Sequence, residues 1–143
     1  MAFNVLIVDD SSSMRAVIRK IIKVSGFNVG EYLEAADGKE ALKVLTDEWV
    51  DLVLTDINMP NMNGLELITV MKKDHLLQSI PVVMVTTEGS RERVKESMEL
   101  GASGYIKKPF MPEDIKKTLN RIMGEKEDES KRCLDTEYEG SDF

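Results

Sequence analysis

Three carboxylates and one ammonium stand at the ends of apolar runs. Asp9 and Asp10 follow Val5-Leu6-Ile7-Val8, and Asp56 follows Leu52-Val53-Leu54-Thr55. Lys108 follows Gly104-Tyr105-Ile106-Lys107 and directly precedes Pro109. Short apolar runs of this kind read as strands, and in an open parallel sheet the strand C-termini gather along one edge, where ligands bind. Three carboxylates on that edge repel one another unless a hard divalent cation joins them. Mg²⁺ suits an all-oxygen site of few carboxylates that keeps several waters and a substrate phosphate. A lysine beside it adds a mobile point charge for a phosphoryl oxygen. The expected chemistry is therefore phosphoryl chemistry.

The elements that must position these groups alternate along the chain. Strands are expected over 4–8, 28–34, 51–55, 82–85 and 103–106. Helices are expected over 14–24, 40–46, 65–73, 90–100 and 112–123. The first helix carries Met14, Val17, Ile18, Ile21 and Ile22 at helical spacing, after the capping run Ser11-Ser12-Ser13. Gly26 and Gly101 read as helix ends, and Pro112 as a helix start. Asp37-Gly38 reads as a turn, and 58–64 as a loop rich in turn formers. Strand three is continuously apolar, as a strand buried on both faces should be. Five strand–helix repeats predict an α/β fold: a five-stranded parallel sheet in alternating β-α order with helices on both faces.

Composition narrows the function classes. The 143 residues suit one domain, and 42% hydrophobic content can build a core. A net charge of −7 argues against nucleic acid as a partner. From Glu125 onward eight acidic residues face Lys126, Lys131 and Arg132, a net of −5, so 1–124 carries only −2. The expected organisation is a folded unit over 1–124 and an acidic, disordered tail over 125–143. One cysteine (Cys133) and one histidine (His75) leave nothing for a disulfide framework, a zinc site or a Cys-His pair. No signal peptide or membrane-spanning run is read, which fits a cytoplasmic protein with no membrane partner.

Several segments carry a family resemblance: Val8-Asp9-Asp10-Ser11-Ser12-Ser13-Met14-Arg15, Asp56-Ile57-Asn58-Met59-Pro60-Asn61-Met62-Asn63-Gly64, Val85-Thr86, Gly101-Ala102-Ser103-Gly104-Tyr105 and Lys108-Pro109-Phe110. In order and spacing, over 3–123, they resemble the receiver domain of two-component response regulators, most closely the single-domain chemotaxis regulators. The resemblance implies a flavodoxin-like receiver fold, a monomer, and phosphate accepted on Asp56 from a CheA-like histidine kinase.

The resemblance also implies roles residue by residue. Asp10 would bind Mg²⁺ directly, Asp9 largely through water, and the backbone carbonyl of Asn58 would add an oxygen. Lys108 would pair with Asp56 at rest and with the phosphoryl group afterwards. Thr86 would move toward the phosphoryl oxygen, and Tyr105 would follow from an outward to an inward position. Asn58 and Glu88 would tune hydrolytic water, giving a short phosphoryl lifetime. The face formed by helix four, strand five and helix five would bind a flagellar motor switch protein; a dephosphorylating phosphatase partner is left open. Lys108-Pro109 is expected to be cis.

Three features depart from the nearest pattern. Ile57 stands where the familiar enteric chemotaxis protein has tryptophan, Thr87 replaces a small alanine, and the tail has no family counterpart. Two other functions are weighed against these residues: the first has an identical active site, and only the second fits less well. A phosphate sink or phosphorelay receiver would share the site without motor binding. An aspartate-nucleophile phosphatase of the haloacid-dehalogenase type would place its nucleophile after the first strand, with a second aspartate two residues on; here that neighbour is Asn58.

Overall fold

The computed structural model describes residues 2–86 and 91–123. The elements are β1 (Phe3–Val8), α1 (Ser12–Ser25), β2 (Val29–Ala35), α2 (Gly38–Asp47), β3 (Leu52–Asp56), α3 (Gly64–Lys73), β4 (Val82–Thr86), α4 (Arg91–Glu99), β5 (Gly104–Lys107) and α5 (Pro112–Met123). The expected tail, with Cys133, Tyr138 and Phe143, and the positions Thr87 and Glu88 lie outside the described residues.

The strands form one sheet in the order β2-β1-β3-β4-β5, with every neighbouring pair parallel. The chain reverses its winding between β1 and β3, which makes that pair the switch point where a ligand crevice opens. Register aligns the strand ends: Val8 pairs with Thr55, Asp56 with Val85, and Thr86 with Lys107.

Alternation of side chains splits the core into two layers. Leu6, Val8, Val53 and Met84 pack with Ala41 and Leu45 of α2 and Leu67, Ile68 and Met71 of α3. Val5, Ile7, Leu52, Leu54, Val83, Val85 and Ile106 pack on the other face with Ile18 and Ile22 of α1 and Ile115 and Leu119 of α5. The central strands are therefore buried over most of their length and mostly apolar, because both faces are covered. The edge strand β2 is exposed or half-buried until Ala35.

Local chemistry sets the helix starts. The Ser11 hydroxyl accepts from the Met14 amide at 3.2 Å. Asn63 and Glu66 form a reciprocal capping box at α3. Asp37 caps α2 by accepting from the Glu40 amide at 2.8 Å, so that helix starts at Gly38 and the expected Asp37-Gly38 turn is its cap. Gly26 closes α1 at φ 87°, in the left-handed region, and donates to the Lys23 carbonyl.

The α4 helix is the least anchored. It packs on β4 and α3, and of its residues only Ser97 is fully buried. Val94 and the following Leu100 are half-buried, while Met98 is 41% exposed. Among the described residues no helix is long and apolar enough to cross a membrane.

Candidate functional site

The three carboxylates meet as expected. Asp9, at the end of β1, is 2% exposed; Asp10 beside it is exposed, and Asp56, closing β3, is half-buried. One oxygen from each lies within 4.8 Å of the others. An all-oxygen donor set with one solvent-facing member could hold a hard divalent cation that keeps part of its water.

Asp9 is held on all its oxygens. Oδ1 accepts from the Ser11 amide at 2.9 Å, Oδ2 faces Lys108 Nζ at 3.5 Å, and the main-chain carbonyl accepts from Arg15. Asp10 makes no hydrogen bond or ion pair among the described residues, which leaves its carboxylate available. Asp56 Oδ1 accepts from the Ile57 amide at 2.8 Å. Burial pushes the Asp56 carboxyl above its ordinary value, and repulsion from Asp9 adds to this. Lys108 and the amides of Ile57 and Asn58 pull it back. Like-charge repulsion alone leads one to expect such a rise; desolvation is the larger cause.

Lys108 reaches the site from just past the end of β5, and the Lys108-Pro109 peptide is cis. Its side chain is 16% exposed. The expected resting pair with Asp56 is not formed: the ion pair is with Asp9, and Asp56 feels the ammonium only as a nearby charge. Asp9 is the more deeply buried carboxylate and has a single amide partner on its side chain, so the cation stabilises it more.

Thr86 ends β4 and is 3% exposed. Its carbonyl accepts from the Lys108 amide at 2.6 Å, which ties the end of β4 to the lysine. Tyr105 pairs with Met84 and Lys107 with Thr86, so Thr86 and Tyr105 share a sheet face on neighbouring strands. The Tyr105 ring stands outward, 47% exposed. Asn58 is exposed just beyond Asp56, and Glu88 lies outside the described residues. Arg91, Arg93 and Lys95 of α4 are exposed, as is His75.

Two contributors escape a reading of the sequence. A Cβ on Gly64 would strike the carbonyl oxygen of Asp56, and the Gly64 amide donates to the Ile57 carbonyl at 2.8 Å. The start of α3 therefore seats directly on the backbone carrying Asp56. The signal was present in the final glycine of the loop, but its neighbour was not. Arg15 joins α1 to the Asp9 carbonyl and to Glu34 on β2; no spacing rule links positions 9, 15 and 34.

Residues 5–120 match the model of the response regulator receiver domain. The chain is 41% identical over 119 residues to the chemotaxis protein CheY-3 of Vibrio cholerae, covering 83% of this chain and 90% of that one. It is 40% identical over 122 residues to a CheY homolog of Campylobacter jejuni, covering 85% and 92%. Among solved structures, Vibrio cholerae chemotaxis protein CheY4 superposes with a TM-score of 0.76 at 36% identity, over 86% of this chain and all (100%) of that one. A CheY-like receiver domain protein of Methanospirillum hungatei gives 0.76 at 32%, over 90% and 99%. An acidic triad at the switch point of this sheet, a lysine arriving from β5, and a family match spanning nearly every described element lead to one assignment: the chain belongs to the response regulator receiver family.

Proposed function

We propose that the protein is a phosphorylation-activated chemotaxis response regulator that takes a phosphoryl group from a histidine kinase onto Asp56 and signals by protein contact. The observation that carries this reading is the convergence of Asp9, Asp10 and Asp56 within 4.8 Å, with Lys108 against them. In the transfer, an Asp56 oxygen attacks the phosphorus of a phosphohistidine. The N–P bond breaks, the O–P bond forms, and the imidazole leaves with the bonding pair.

Asp9, Asp10, Asp56 and the Asn58 carbonyl would hold Mg²⁺, which when bound neutralises charge on the transferring group. Asp56 must be ionised to attack, and Lys108 favours that form against the effect of burial. Lys108 would then leave Asp9 for the new phosphoryl oxygens, a short swing for a mobile ammonium. Thr86 supplies a hydroxyl at the adjoining strand end, and its capture opens space for Tyr105 to turn inward. Asn58, with Glu88, would admit hydrolytic water. Tyr105 and the outer side of α4 and α5 would form the face read by a flagellar motor switch protein, in a monomer of cytoplasmic location.

The deciding experiment is binding of a motor-switch N-terminal peptide with and without beryllofluoride and Mg²⁺, using Asp56→Asn as control. Tighter binding on activation, lost in Asp56→Asn, supports a motor regulator. Equal binding in both states, with activation confirmed by NMR, points instead to a phosphate sink or relay. Phosphate-ester hydrolysis persisting in Asp56→Asn would point to a separate enzymatic activity.

A further inference from the structure

Arg15 sits one turn into α1 with its side chain 15% exposed. Its guanidinium spans two elements. Nη1 donates to the backbone carbonyl of Asp9, and Nε donates to Glu34 Oε1 at 2.8 Å. Glu34 is the penultimate residue of β2, and its other oxygen lies 3.3 Å from Arg19 Nη1. One carboxylate on the edge strand is thus shared between two guanidinium groups of α1.

The arrangement has two effects on the acidic site. The Asp9 carbonyl is the last fixed point of the main chain before Asp10, whose own side chain has no partner among the described residues. A planar guanidinium held by a second bond fixes direction as well as distance. The second effect is electrostatic. A guanidinium bonded to the Asp9 main chain could turn to the carboxylates of Asp9 and Asp10 if its charge were not taken up elsewhere, and would then compete with any cation. Glu34 takes up part of it.

We infer that the Arg15–Glu34 pair positions and reserves the acidic triad: Arg15 fixes the backbone that aims Asp10, and Glu34 keeps Arg15 off the carboxylates. The inference rests on the divalent-cation reading above.

The test is Mg²⁺ titration of the full chain by calorimetry and NMR, with urea unfolding of the metal-free proteins alongside. Arg15→Ala should raise the Mg²⁺ Kd by about tenfold or more, in the range seen when a residue supporting a metal ligand is removed. Glu34→Gln should raise it comparably, by releasing Arg15 toward Asp9 and Asp10. The double variant should be no weaker than Arg15→Ala alone, because Glu34 has no task once Arg15 is gone. Arg15→Lys, which keeps the charge but cannot bridge both partners, should also weaken binding and guards against a fold defect in the alanine variant. If the parent binds Mg²⁺ and the Kd stays unchanged while only the urea midpoint falls, the pair is a structural brace and the inference fails. Full additivity in the double variant also overturns it. A parent that does not bind Mg²⁺ overturns the cation reading itself, a result separate from the variant series.

Discussion

Lys108 faces Asp9 at 3.5 Å rather than the carboxylate of β3. The lysine therefore stabilises the more buried acid and leaves Asp56 raised by burial. Replacing Lys108 with Met should destabilise the metal-free protein by about 1–3 kcal/mol, because Asp9 keeps only one amide for a buried charge. It should also raise the Asp56 pKa further. Urea unfolding and carboxyl-carbon NMR titration check the two effects separately.

Asp56 also carries a pH signature. Its folded pKa lies above its unfolded value, so the stability it contributes is full below the unfolded pKa and is lost as pH rises through the folded one. Asp37 acts oppositely: hydrogen bonds from the Glu40 amide and Asn61 hold its pKa down. The measurement is thus a difference, parent minus Asp56→Asn, in metal-free stability from about pH 4 upward. The parent should lose ground to the variant as pH rises; a flat difference would contradict the burial argument.

Asp10 is exposed, so removing its charge relieves only screened repulsion. Asp10→Ala should stabilise the metal-free protein by no more than about 1 kcal/mol. The same change should weaken Mg²⁺ binding by at least about tenfold. A destabilised metal-free variant would count against repulsion within the triad.

Gly64 bears directly on Asp56. The Cβ of Gly64→Ala would meet backbone rather than a yielding side chain. A loss of about 1–3 kcal/mol is expected, the range for overpacking, together with a lower phosphorylation rate at Asp56. Thermal unfolding and phosphate incorporation report the two. An Asn63→Ala variant, which removes the neighbouring cap, should lose about 1 kcal/mol but retain the rate better.

Much of this architecture was legible because buried parallel strands announce themselves. Leu52-Val53-Leu54-Thr55 is apolar without alternation only because both faces are covered, and the carboxylate that follows must emerge at the sheet edge. Boundaries moved where a side chain redirected the backbone. Asp37 turned an expected turn into a helix cap, and pairing of Thr86 with Lys107 carried β4 and β5 one residue further. What stayed hidden was partner choice. Lys108 had several carboxylates within its radius, and the preference for Asp9 depends on relative burial. Arg15 and Glu34 meet because two neighbouring elements cross at one angle, and no local pattern encodes that.

The thin seating of α4 has a thermodynamic corollary. A helix with one fully buried residue has little free energy opposing its displacement, so a few kcal/mol applied at either end of the molecule is enough to shift its population. Linkage makes that traffic two-way. Were a phosphoryl group on Asp56 to displace α4, any protein that clasped the displaced helix would, to the same extent, favour that state of the acidic edge, and the occupant of the outer face would become a determinant of affinity at the triad.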